Sequence, residues 1–319
     1  MLTDPFIAVT DRAWFDYLTS ISTAGVVDEV NFWSPEAQKT MKSFRPGEPV
    51  FFKLKAPTHC IAGYGFFAHF ALLDLDVAWD TFGVRNGFPD RLRFLRGLGA
   101  YRAEDLQASR AASKRLACTI LRDAVFWPED RWMSWGTAQG WPMNVTRGAA
   151  TRDPILADLL LRQIQLDQHE PPEEFALAFE LSDVDEREVV LANTKPRVGQ
   201  GAFRSRLITA YEGRCAISGE RTEPVLDAAH VQPYLGPRSN HIQNGLLLTQ
   251  EFHTLFDRGY ITVTPEHTVR VSSQIRERWS NGKRFYDFND QPLRSVPKAA
   301  HEKPSADALL WHNKHRFAS

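Results

Sequence analysis

Residues 197–263 read RVGQGAFRSRLITAYEGRCAISGERTEPVLDAAHVQPYLGPRSNHIQNGLLLTQEFHTLFDRGYITV, and the fold of the C-terminal part turns on this stretch. Val225–Val231 favours a strand, Pro233–Asn240 carries the proline and glycine of a turn region, and Gly245–Leu248 is a second short apolar strand. Thr249 stands at the cap of a helix expected over Gln250–Arg258, which Gly259 stops. Two strands and a helix would present their polar residues to one cleft. His230 closes the first strand, Asn244 precedes the second, and His253 sits on the helix with Asp257 one turn later on the same face. Asp227 and Ala229 share one face of the first strand, because side chains alternate along it.

Short motifs follow one another here in a fixed order: Gly213-Arg214-Cys215-Ala216-Ile217-Ser218-Gly219, then Ala228-Ala229-His230, then Asn244-Gly245-Leu246-Leu247-Leu248, then His253-Thr254-Leu255-Phe256-Asp257. Across about residues 197–275 the chain resembles the HNH nucleases of the ββα-metal fold, most closely their bacterial restriction-type branch. The resemblance implies phosphodiester hydrolysis with a divalent metal ion, Mg or Mn. That reaction needs a base to activate water, a cation to neutralise phosphate charge, and an orienter for the base. His230 then matches the general base, which as a neutral imidazole accepts a water proton near neutral pH. Asn244 matches the residue that fixes the base or completes the metal shell. His253 matches a metal ligand, with Asp257 beside it. Many relatives carry His or Asp where this chain has Ala229, and Asp227 is the nearest substitute ligand. A structural zinc is not expected, since Cys215 has Ser218 and Gly219 where a zinc knuckle would need its partner; Cys215 reads as a small buried hydrophobe. His241 reads as a surface residue, and Arg204, Arg206 and Arg214 are candidates for backbone phosphates.

Working outward, 319 residues favour two domains over one. The composition, 43% hydrophobic and 24% charged, excludes disorder as the main state. No membrane-spanning segment or secretory leader is legible, and three scattered cysteines argue against a disulfide framework, so a cytoplasmic location is expected. The net charge of −1 conceals an asymmetry: +1 over residues 1–150, −7 over 151–195 and +5 over 196–319. The basic C-terminal third also holds seven of the ten histidines, which keeps nucleic acid open as a ligand.

Seven of the nine tryptophans fall in the first 150 residues, so that part has its own composition. A helix is expected over Asp11–Ser20 with Asp11 as cap, and two aromatic-rich strands over Gly47–Phe70, broken at Ala56-Pro57-Thr58. Residues 104–117 favour helix and Cys118–Phe126 favours strand. Asp153-Pro154 opens a helix whose apolar residues from Ile155 to Ile164 keep helical spacing. The class is α+β, organised as residues 1–148, a helical acidic linker over 149–195, and the nuclease domain over 196–319.

Through Arg45-Pro46-Gly47-Glu48-Pro49-Val50-Phe51-Phe52-Lys53 and Ile61-Ala62-Gly63-Tyr64-Gly65-Phe66-Phe67, the first domain resembles the PUA-like small β-barrels with flanking helices, including the EVE and ASCH branches. That resemblance implies a reader of modified bases, which stacks a flipped base between aromatic rings. The candidate walls are Trp33, Phe66, Trp79 and Trp127, with Arg91, Arg93 and Arg96 on flanking phosphates. Together the two resemblances imply a modification-dependent restriction endonuclease of phage defence, acting on double-stranded DNA that bears 5-methylcytosine or 5-hydroxymethylcytosine. Alternatives are a nuclease directed to a phosphorothioate backbone, a glucosylated base or structured nucleic acid, and a reader without cleavage. Cutting both strands would call for a dimer or two successive binding events; a homodimer is expected, with Ile155–Ile164 as one apolar contact, packing on its own domain being the simpler use of that stripe.

Overall fold

The computed structural model describes residues 5–34, 44–102, 115–134, 148–151, 153–167, 179–181 and 199–318. The chain divides into two compact units, Met1–Ala176 and Leu177–Ser319. The expected α+β class holds.

In the first unit, β1 (Phe6–Thr10) leads into α1 (Arg12–Ile21), β2 (Val26–Ser34), β3 (Pro49–Leu54), β4 (Cys60–Asp74), α2 (Leu75–Phe82), α3 (Arg91–Arg102), β5 (Arg115–Phe126), β6 (Met133–Ser134), β7 (Ala149–Ala150) and α4 (Pro154–Leu166). The sheet runs β2-β5-β4-β3-β1-β7, with β6 paired to β4. Only β1 and β3 lie parallel among the described ladders, from Phe6 opposite Val50 to Thr10 opposite Leu54. All six residues of β3 are buried, because both faces of the sheet are covered. Val50, Phe52 and Leu54 pack towards Trp14, Phe15 and Leu18 of α1. The alternate residue Phe51 packs with Tyr64 and Phe66 towards Leu156, Leu160 and Ile164 of α4.

Both capped helices start where the sequence places them. The Asp11 side chain accepts from the Ala13 amide, and Asp153 accepts from the amides of Ile155 and Leu156. The role of α4 differs from expectation. Its apolar stripe completes the core of the first unit, so it is not a connector, and the residues left outside are Ile155 and Leu159. A second difference concerns Arg115–Ala117, which helix propensity assigned to a helix and which begin β5. Their pairing with Leu72–Asp74 of β4 overrides propensity. Residues 104–114 and most of the acidic stretch lie outside the described residues.

In the second unit, α5 (Gln200–Ala210) precedes β8 (Leu226–His230), β9 (Gly245–Thr249) and α6 (Gln250–Asp257), the two strands and helix expected. Then come β10 (Ile261–Val263), β11 (Val269–Val271), α7 (Gln274–Trp279), α8 (Lys283–Tyr286) and α9 (Ala306–His315). β8 pairs antiparallel with β9 from Leu226 opposite Thr249 to His230 opposite Gly245. Gly245 is required by packing: a Cβ there would stand 2.8 Å from the side chains of Leu207 and Phe203, so its absence lets α5 close on β9. Gly259 ends α6 in the left-handed region, at φ +74°, with the Arg316 carbonyl where a Cβ would be. Thr249 holds the cap position of α6, although its hydroxyl makes no capping bond. Among the described residues no helix is long and apolar enough to cross a membrane.

Candidate active site

The residues singled out by sequence fall into two groups, both against α5. On one side of β8, Asp227 Oδ2 lies 2.8 Å from His253 Nδ1, and the other ring nitrogen, Nε2, lies 3.3 Å from Asp257 Oδ2. Helical i+4 spacing brings Asp257 to His253, and the packing of α6 on β8 brings Asp227. The remaining Asp227 oxygen, Oδ1, pairs with Arg204 at 3.1 Å. Burial disfavours charge on His253, but hydrogen bonds to Asp227 and Asp257 outweigh it and raise the imidazole to about 9. Burial likewise opposes charge on Asp227, and the His253 contact with the nearby Arg204 leaves its carboxyl below the usual range.

The second group surrounds His230, a buried residue whose Nε2 lies 3.0 Å from Oδ1 of Asn240. Phe203 of α5 stacks on the imidazole at 4.3 Å between centroids and 15° between planes. Alternation along β8 separates His230 from Asp227, so the expected single cluster is two adjoining ones. They meet at consecutive residues of α5, where Phe203 serves His230 and Arg204 serves Asp227.

Asn244 belongs to neither group directly. Its Oδ1 accepts from the Gln232 amide at 2.8 Å, and its Nδ2 donates to the carbonyls of Gln232 and Ser239 at 3.0 and 2.9 Å. It clamps the loop between the strands. Asn240 escaped sequence reasoning, since it lies in an aperiodic loop ten residues from its partner.

Other expectations need correction. Arg204 is not offered to a phosphate, because its guanidinium turns inward to Asp227. Arg206 and Arg214 are half-buried. His241 is also half-buried rather than a surface residue, and burial, with Arg206 nearby, lowers its imidazole below the ordinary value. Cys215 is fully buried, as expected. In the first unit, Phe66 is 1% exposed and belongs to the core between the sheet and α4, so it cannot wall an open pocket. Trp127 belongs to the same core, its Nε1 donating to Asp167, although its residue also lines a hollow of about 490 Å³ with Arg131 and Asp167. Trp33 and Trp79 are half-buried and share Phe94 as neighbour, at 6.1 and 5.6 Å. Arg91, Arg93 and Arg96 are exposed on α3, with Arg91 paired to Asp76 and Arg93 to Asp90.

Among the described residues, no group of three or more His, Cys, Asp or Glu is arranged to hold a metal ion. A smaller donor set still fits a hard divalent ion, which commonly takes one or two carboxylates and completes its shell with water and substrate phosphate. Asp227 and His253 supply a carboxylate and an imidazole at 2.8 Å from each other, about the separation of neighbouring ligands at ~2.1 Å from one ion. One imidazole can give a metal only one nitrogen, so Asp227 and Asp257, on opposite ring nitrogens, cannot both be its immediate fellow ligands.

Two paired strands, a following helix, a histidine at the end of the first strand and a histidine–carboxylate cluster on the helix define a ββα nuclease architecture. The sequence model of the HNH endonuclease family matches residues 215–264, and the chain carries an HNH endonuclease domain there. Among solved structures, the ASCH protein of Zymomonas mobilis is similar at 11% identity, covering 50% of this chain and 94% of that one, with a TM-score of 0.34. A structure described as the modification dependent TagI restriction endonuclease is similar at 13% identity, covering 89% of this chain and 74% of that one, with a TM-score of 0.27. No curated protein matches the sequence.

Proposed function

We propose that this chain is a metal-dependent DNA endonuclease directed by its first unit to modified cytosine. The observation that carries the nuclease reading is the HNH match over residues 215–264, within which Asp227 and His253 lie side by side and His230 closes β8. His230 accepts the proton of the attacking water, the water oxygen bonds to phosphorus, and the bond to the leaving sugar oxygen breaks. Asn244 holds the loop that follows the base. Asp227 and His253 are the residues that would hold Mg or Mn, with Asp257 on the other ring nitrogen to orient His253, and such an ion would neutralise charge on the scissile phosphate and leaving oxygen. Arg206 and Arg214 are the remaining phosphate candidates on this unit.

The modified-base reading rests on the aromatic composition of the first unit and its PUA-like motifs. There Trp33 and Trp79 remain candidates to stack a flipped 5-methylcytosine or 5-hydroxymethylcytosine, with Arg91, Arg93 and Arg96 outside on the DNA backbone. Action as a homodimer in the cytoplasm, against phage DNA, completes the proposal. Full-length protein with Mg²⁺ or Mn²⁺ should cut plasmids bearing either modified cytosine and spare unmodified plasmid. Equal cutting of all three removes the reader and leaves the nuclease. Binding of modified plasmid without cutting under either ion favours the non-cleaving reader.

A further inference from the structure

We propose that Asn240 is the positioning residue of the base: its side-chain carbonyl holds His230 as the Nε2–H tautomer, so that Nδ1 carries the lone pair that takes the water proton. The inference rests on the reading of His230 as general base. His230 Nε2 and Asn240 Oδ1 stand 3.0 Å apart. The two residues are 9% and 5% exposed, so bulk water competes little for the bond. An amide oxygen only accepts, so the bond forms when Nε2 bears the hydrogen, and a neutral imidazole then has its lone pair on Nδ1.

Packing alone does not achieve this. Phe203 stacks on one face of the ring and Tyr234 meets it edge-on at 5.8 Å and 68°. Stacking sets the plane of the imidazole but tolerates a half-turn about Cβ–Cγ, which would put Cε1 where Nε2 stands and Cδ2 where Nδ1 stands. The Asn240 bond distinguishes the two orientations. Asn240 is itself held by its turn: the Ser239 amide donates to the Gly236 carbonyl, Ser239 Oγ accepts from the Leu235 amide at 3.0 Å, and Asn244 Nδ2 donates to the Ser239 carbonyl at 2.9 Å. Asn244 therefore reaches the base through the turn that carries Asn240.

The experiment uses full-length protein with ¹⁵N-labelled histidine, kept metal-free with EDTA, and reads the tautomer of His230 from long-range ¹H–¹⁵N correlations, assigned by loss of the signal in His230→Ala. The wild type should show Nε2–H. Asn240→Leu should give mixed tautomers and, with Mg²⁺ and plasmid, a fall in kcat on the order of 10²–10⁴-fold with KM changed by less than about threefold. Asn240→Asp, which keeps an acceptor oxygen in place, should restore Nε2–H and most of kcat. A folded Asn240→Leu that keeps Nε2–H and wild-type kcat would overturn the proposal. So would Nδ1–H in the wild type, a result that stands even if the leucine variant fails to fold. Wild-type cutting by His230→Ala is a separate outcome, which removes the base itself.

Discussion

At the scale of single residues, each candidate histidine has a different hydrogen-bonded setting. His230 faces an amide oxygen, and His253 lies between two carboxylates. His312, 2% exposed in α9, donates from Nε2 to the Phe256 carbonyl at 3.1 Å and accepts the Thr262 hydroxyl at Nδ1 at 2.8 Å. Burial chiefly, with Arg316 nearby, lowers its imidazole to about 4. An imidazole unfolded at about 6.5 and folded at about 4 favours the native state above pH 6.5 and loses that advantage as pH falls towards 4. Thermal melts of the wild type between pH 7 and pH 4 should therefore show a loss of stability that His312→Gln reduces. An unchanged pH dependence in that variant would assign the loss to other groups. If His230 is the general base, His230→Ala should lower the cleavage rate on the order of 10²–10⁴-fold while leaving the melting temperature near the wild type. Wild-type cleavage by this folded variant would contradict the role of His230.

At the scale of elements, the legible parts of the sequence were those with both periodicity and caps. Asp11 and Asp153 marked the starts of α1 and α4, and Gly259 marked the end of α6. Propensity misleads at Arg115–Ala117, where strand pairing decides, and the stripe of α4 reads as an apolar face whose partners on β3 and β4, about a hundred residues away, no local pattern names. Helical spacing alone pairs His253 with Asp257 on α6. The partners of Arg204 and Asn240, which are Asp227 and His230, are set by tertiary contact and by no local pattern. The placement of α4 is testable. Leu160→Ala should destabilise the protein by about 2–5 kcal/mol, as for a buried leucine. Ile155→Ala, at a residue 79% exposed, should change stability by less than about 0.5 kcal/mol. Urea unfolding measures both. Equal small effects would place α4 away from the core, and a dissociating dimer in the Ile155 variant would assign its outer face to self-association.

At the scale of the whole molecule, one unit is rich in aromatic residues and the other carries the HNH domain. Phosphate contacts supply affinity that weakens with salt, whereas contacts to a flipped base supply discrimination. Full-length His230→Ala, which binds without cutting, should prefer modified over unmodified duplex, and the preference ratio should persist as salt rises while both affinities fall. Trp33→Ala or Trp79→Ala added to that variant should flatten the ratio without lowering the melting temperature if the ring stacks on the base. A fall in melting temperature with the ratio intact would assign that ring to the core. The most direct test of the central claim is cleavage of unmodified, 5-methylcytosine and 5-hydroxymethylcytosine plasmids by full-length protein with Mg²⁺ or Mn²⁺, alongside EDTA and His230→Ala controls. Modified plasmid alone should be cut, and EDTA or His230→Ala should abolish the cutting. Full cutting in EDTA by protein free of bound metal, or cutting unaffected by His230→Ala, would contradict that claim.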